Sequence, residues 1–190
     1  MKSVSRMIVT AFVLLFASTP ANAQDMEMNP QPYFGAGLGG FIVDPGLGSD
    51  TVLGGYGLFG VGLNEYIALE GRIGTTGNGS ALINNTQTTF GVDWFFSYLA
   101  KFQLPVSEDL RIYGLLGGTT LSTNYQKLGA LKKTNTSANL SIGFGVDYLI
   151  QDQLYIGGEW MQYASDANIH APVFPGLNVW GATATFRYEF

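Results

Sequence analysis

The chain has 190 residues, no cysteine, 26 glycines, 14% aromatic and only 12% charged residues, with a formal net charge of −5. Lack of cysteine excludes disulfides, thiolate catalysis, cysteine metal sites and a lipoprotein anchor, and the acidic balance opposes nucleic-acid binding. Beyond the N-terminus no apolar run reaches the ~20 residues of a spanning helix.

In chain order, residues 1–23 read as an export signal. Lys2 and Arg6 form a positive start, 7–18 is a short apolar run, and Ala21-Asn22-Ala23 after Pro20 is an A-x-A cleavage site. Removing the first 23 of 190 residues leaves 167 with 7 basic and 14 acidic groups, a net charge of −7. Residues 24–32 form a proline-containing lead-in, and 33–190 a single domain.

That domain divides into eight alternating segments, 33–43, 51–63, 66–74, 87–102, 110–121, 136–149, 153–164 and 178–190. In the fourth, Phe90, Val92, Trp94, Phe96 and Tyr98 oppose Gln87, Thr89, Gly91, Asp93, Ser97 and Lys101. In the sixth, Leu140, Ile142, Phe144, Val146 and Tyr148 oppose Asn139, Ser141, Gly143, Gly145 and Asp147. The last sets Phe186, Tyr188 and Phe190 against Thr183, Thr185, Arg187 and Glu189.

Ranks of rings are too bulky to converge inside a narrow eight-stranded barrel, whereas glycine suits a crowded centre. The expectation is therefore an all-β, eight-stranded antiparallel up-and-down transmembrane β-barrel, apolar outside and polar inside. Short connections at Asn64-Glu65, 105–109 and Gln151-Asp152 alternate with longer ones at 44–50, 75–86, 122–135 and 165–177. Such barrels keep short turns in the periplasm, which places both termini there. Tyr66, Phe102, Tyr148, Tyr155, Tyr188 and Phe190 are expected as an aromatic girdle on the turn side, with Phe174 and Trp180 towards the loops.

The terminal FRYEF, with Phe186, Tyr188 and Phe190, resembles the signal by which the outer-membrane assembly machinery recognises its substrates. GFGVDYLIQDQLYIGGEWMQY (143–163), YFGAGLGG (33–40) and GVGLNEYIALEGRIG (60–74) resemble the OmpA-like outer-membrane β-barrel family. The resemblance implies a bacterial outer-membrane protein of a Gram-negative envelope, in contact with lipid and lipopolysaccharide, with no cofactor. A cell-wall tether like that of OmpA's peptidoglycan-binding domain is not expected.

Inward charges are expected at Glu70, Arg72, Asp93, Lys101, Arg111, Asp147, Glu159, Arg187 and Glu189, four basic and five acidic. A paired network plugging the lumen is the favoured reading, because an isolated charge there is strongly disfavoured. A narrow ion path, with water beside Gly35, Gly37, Gly39, Gly60, Gly62, Gly143 and Gly145, is the alternative.

Lipid A deacylases of this architecture carry an outward His-x-Ser-Asn; the corresponding Tyr163-Ala164-Ser165-Asp166 has tyrosine in place of the base, and the only histidine, His170, lies in a loop. No catalytic or metal residue is therefore assigned. Two G-x-G-x-x-G matches, 35–40 and 55–60, lie inside strands and lack the following helix a dinucleotide site needs. Lys127, Lys132 and Lys133 in the third long loop are candidates for lipopolysaccharide phosphates. The chain is thus read as a non-enzymatic, monomeric envelope or surface-interaction protein, with a small pore and a lipid A hydrolase as alternatives.

Overall fold

Glycine recurring among β-branched and aromatic residues disfavours helix and suits an extended, pleated backbone. The computed structural model describes residues 30–46, 48–83, 86–127, 131–167 and 176–190, and among them it holds strands and no helix. The strands are β1 (Gln31–Asp44), β2 (Asp50–Gly62), β3 (Ile67–Thr76), β4 (Asn78–Ile83), β5 (Thr86–Pro105), β6 (Leu110–Lys127), β7 (Lys133–Gln151), β8 (Leu154–Ala167) and β9 (Leu177–Glu189). All pairings are antiparallel; β1 pairs with β9 and β3 with β5, which closes the sheet. β3 and β4 lie in turn along β5 as one interrupted stave, so the barrel has eight.

At the interruption, threonine hydroxyls replace the missing ladder bonds. Val92 N–H donates to Thr76 Oγ1 at 3.1 Å, and Thr75 Oγ1 donates to the Val92 carbonyl at 3.3 Å. Both polar groups of a buried backbone unit are thereby satisfied. Opposite them, the β5–β6 register shifts between Val92 and Trp94, a bulge at Asp93.

Two expected loops are largely strand. β4 and the start of β5 fill most of 75–86, and β6 runs to Lys127 while β7 starts at Lys133 within 122–135. Gly77, Asn78 and Gly79 carry turn chemistry, yet the Asp50 carboxylate accepts Ser80 N–H at 2.8 Å and ties β4 to β2. Threonines at 134 and 136 favour the strand state in β7.

On β7 the outward apolar row runs from Leu140 to Ile150. Ten steps of about 3.4 Å, tilted by about 40°, span about 26 Å, the ~25 Å height of a membrane barrel's apolar band. Leu140, Ile142, Phe144, Val146 and Tyr148 all face outward, as do Phe186 and Phe190.

The Asp93 bulge reverses part of the expected alternation of the fourth segment. Trp94 and Phe96 face outward, but Phe90 and Val92 are buried inside, on the same side as Phe95, Ser97 and Lys101. One extra residue moves every side chain on its far side to the other face. Tyr155 is likewise buried and not part of an outer girdle, whereas Tyr66, Phe102, Tyr148 and Phe190 are exposed. Phe174 lies outside the described residues, as does the expected export signal.

Candidate functional site: the closed lumen

The interior is stacked in layers along the barrel axis. Nearest the short turns, Arg111 Nη1 donates to Glu189 Oε1 at 2.8 Å, and the guanidinium lies over the Tyr155 ring, 4.4 Å from its centroid. Both side chains keep partial solvent contact, 24% and 20% exposed.

Above this pair lies a layer of three basic and three acidic groups, Arg72, Lys101, Arg187, Glu70, Asp147 and Glu159, all buried. Arg72 and Glu70 alternate inward on β3, two residues apart, and the Arg72 Nε donates to Glu70 Oε1 at 2.6 Å. Across the lumen its Nη2 donates to Glu159 Oε2 at 2.7 Å. Lys101 Nζ donates to Asp147 Oδ2 at 2.8 Å, and Arg187 pairs with the same carboxylate from β9. Arg187 also lies 3.6 Å from both Glu70 and Glu159. The layer sums to zero charge, and every carboxylate in it faces a cation.

Three tyrosines complete that layer. Tyr33 donates to Glu70 at 2.9 Å, and Tyr56 and Tyr113 donate to Glu159 at 3.1 and 3.0 Å. Each ring lies across a glycine directly paired with it on the neighbouring strand: Tyr33 over Gly60, Tyr56 over Gly37 and Tyr113 over Gly145. A β-carbon at Gly60 would stand 2.3 Å from the Tyr33 ring, and one at Gly145 2.5 Å from that of Tyr113. These glycines therefore make room for phenol rings; the space expected for water beside Gly37, Gly60 and Gly145 is filled by side chains.

Next come hydroxyls. Ser97 and Thr119 share a 2.7 Å hydrogen bond, and Ser141 donates to Thr119 at 2.8 Å. Beyond them the lumen turns apolar, which the expected polar interior did not include. Phe95 packs against Tyr163 and Phe41 with ring centroids 5.0 and 6.1 Å apart, and Phe41 lies 5.5 Å from Tyr163. Val43, Phe90, Val92, Leu121, Met161, Leu177 and Val179 belong to the same buried cluster. Two bulges in β8, around Ala164, put Tyr163 and Ala164 both inside.

At the far end Asp93 leaves the lumen. Its carboxylate, in the bulge, accepts from Asn124 Nδ2 at 2.6 Å and from Lys132 Nζ at 2.9 Å. The expected inward set thus falls into three places: six groups in the central layer, Arg111 and Glu189 at one mouth, and Asp93 at the other. Of the lysines expected at the surface, Lys132 is spent on Asp93 and Lys133 is exposed; the Lys127 side chain is outside the described residues. Tyr163 faces the aromatic plug and not the outer rim, Ser165 is exposed, and His170 lies outside the described residues.

Sequence reasoning missed the aromatic plug and the tyrosine clasps. The signal for the clasps was present as direct Tyr–Gly cross-strand pairs, legible once the register was known. The bulges at Asp93 and Ala164 carry no comparable signature.

A family model described as outer membrane protein beta-barrel domain matches residues 9–190. The chain belongs to that family. Solved structures agree on the fold. Ail, the attachment invasion locus protein of Yersinia pestis, in complex with the heparin analogue sucrose octasulfate, is 14% identical, with 86% of this chain and 100% of that one covered, at a TM-score of 0.60. Neisserial surface protein A is 14% identical, with coverages of 85% and 99% and a TM-score of 0.63. The N-terminal β-barrel domain of Pseudomonas aeruginosa OprF is 13% identical, with coverages of 85% and 100% and a TM-score of 0.57. Comparison with curated proteins found no match. The chain is a bacterial outer-membrane β-barrel protein, and its apolar outer belt is the surface such a protein turns to lipid.

Proposed function

We propose that this barrel is sealed, and that it serves the envelope or surface contacts through the hairpins at its long end, without transporting ions or catalysing a reaction. The observation carrying this reading is the stack of a charge-neutral ion layer and an aromatic plug, Phe41, Phe95 and Tyr163, across one lumen. An ion crossing it would have to displace both paired charges and packed rings, which are costly to separate.

In this reading the short turns face the periplasm, so residues 30 and 190 lie on that side, and the long hairpins face outward. Residues 133–139 of β7, all polar but Ala138, rise about 18 Å above the apolar row at ~3.4 Å per tilted residue and hold the hairpin clear of the bilayer. Lys133 is left for lipopolysaccharide phosphates once Lys132 is engaged by Asp93, and Lys127 is assigned the same role from its place in the sequence. The exposed Phe190, with Phe186 and Tyr188, serves recognition by the assembly machinery, and the protein acts as a monomer.

Planar-bilayer recording of refolded protein tests the proposal. It is expected to show no steps above the lipid baseline. Stable steps that disappear on charge reversal at Arg111 or Glu159 would replace it with a small pore. Trypsin shaving of intact cells tests the orientation, with cleavage expected at Lys132 or Lys133.

A further inference from the structure

Most described glycines in this barrel lie under a side chain or tight against a neighbouring backbone. Outward Gly71 is covered by the Phe59 ring and outward Gly118 by that of Tyr98, with a hypothetical β-carbon 2.4 and 2.5 Å from the nearest ring atoms. Gly57, Gly114 and Gly158 break this pattern, the last two within one groove. Gly114 is paired with Phe102 on one side and Phe144 on the other, yet neither ring folds over it; the nearest heavy atom to a β-carbon there is a backbone oxygen at 4.0 Å. A β-carbon at Gly158 would meet nothing within 4 Å. Neither glycine has a positive φ. Sterics and backbone conformation alike would accept a β-carbon, and glycine within a strand weakens it.

Gly114 and Gly158 floor a groove of about 710 Å³ on the outer wall, with Phe102, Leu104, Phe144 and Trp160 among its sides. Phe144 and Trp160 stack at 5.4 Å and form one ridge. The groove lies within the apolar belt and runs down to Leu104 and Ile112, directly above the β5–β6 turn at 106–109. That turn carries the exposed carboxylates Glu108 and Asp109, while the neighbouring Arg111 is turned inward onto Glu189. Glu65 and Asp152, in the other two short turns, are exposed as well.

We propose that this groove holds an acyl chain of one phospholipid with an amine headgroup, in the leaflet at the short-turn end. The apolar walls select the acyl chain. Glu108 and Asp109 select the headgroup, because their field attracts an ammonium and repels a purely anionic headgroup such as a phosphoglycerol. The identity of that leaflet as the inner one rests on the orientation proposed above.

Trp160 reports on the groove directly. With Trp94→Phe and Trp180→Phe it becomes the sole tryptophan, since the chain has three. The protein would be refolded into vesicles carrying a minor fraction of phosphatidylethanolamine or phosphatidylglycerol brominated mid-chain. Brominated ethanolamine lipid should quench Trp160 about twofold more than its mole fraction predicts, a modest preferential affinity, and brominated glycerol lipid should not. Gly114→Leu, whose β-carbon meets nothing closer than 4.0 Å, should fill the groove and abolish the excess in protein that still migrates as folded. Glu108→Gln with Asp109→Asn should remove the headgroup preference. Quenching that follows mole fraction for both lipids overturns the site, and equal excess for both overturns the headgroup assignment. Both leaflets are brominated, so these outcomes do not depend on which end faces the periplasm; protease shaving tests that separately.

Discussion

Replacing Glu159 by glutamine keeps the shape of the central layer and removes one charge. The layer then holds Arg72, Lys101 and Arg187 against only Glu70 and Asp147, a net of +1 in a buried site. Glu159 accepts from Arg72 at 2.7 Å and lies 3.6 Å from Arg187. At 3.6 Å and an effective dielectric of ~20 a unit pair interacts by about 5 kcal/mol, against about 1 kcal/mol in bulk water. Partial recovery of desolvation brings the expected loss to about 3–5 kcal/mol, the usual result of removing one partner from a buried pair. With a urea dependence of roughly 2 kcal/mol per molar, the unfolding midpoint in lipid vesicles should fall by about 2 M. Replacing Arg72 and Glu159 together by methionine should cost much less than Glu159→Gln alone, because no charge is left unpaired. A Glu159→Gln midpoint within the error of wild type would refute the reasoning. It would mean that water screens these groups as it does surface pairs, and the lumen would be an aqueous path.

Three further perturbations and one control separate the layers. Gly60→Ala should destabilise by about 1–3 kcal/mol, because the Tyr33 ring it would strike is anchored to Glu70; Gly57→Ala, with nothing within 4 Å, should be neutral or slightly stabilising in the same urea titration. Phe95→Ala should cost about 3–5 kcal/mol by opening a cavity against Phe41 and Tyr163, read as a lower temperature for loss of the compact gel form. Arg111→Ala, at a mouth where both partners retain solvent, should change stability by no more than about 1 kcal/mol in low salt and less in high salt.

Barrel, strand count and outward face were legible because alternation has a period of two and the apolar members were too large for the inside. Leu140 through Tyr148 fit that logic without exception. The six central charges were legible for the same reason, since a charge on the glycine-bearing face of an outer-membrane strand has only the lumen to occupy. Phe90 and Val92 were not, because a bulge shifts phase without changing composition, and Asp93 looks like any inward carboxylate until the extra residue is seen. Thr75, Thr76 and Asn78 looked like a loop because their side chains compete for backbone bonds in many settings; here the two threonine hydroxyls bridge the β3–β4 break. Tyr155 looked like a girdle ring because tyrosine suits both an interface and a hydrogen-bonded interior. Which it takes depends on Arg111, two strands away on β6, and no local window contains both.

Bulky residues turned towards acyl chains are the premise of the whole account, and a chain without cysteine allows it to be measured residue by residue. Single cysteines at Leu140, Ile142, Phe144, Val146 and Tyr148, spin-labelled in vesicles, should collide freely with dissolved oxygen and scarcely with a water-soluble nickel chelate, most markedly near Phe144. Nickel-dominated collisions at all five positions would contradict the account.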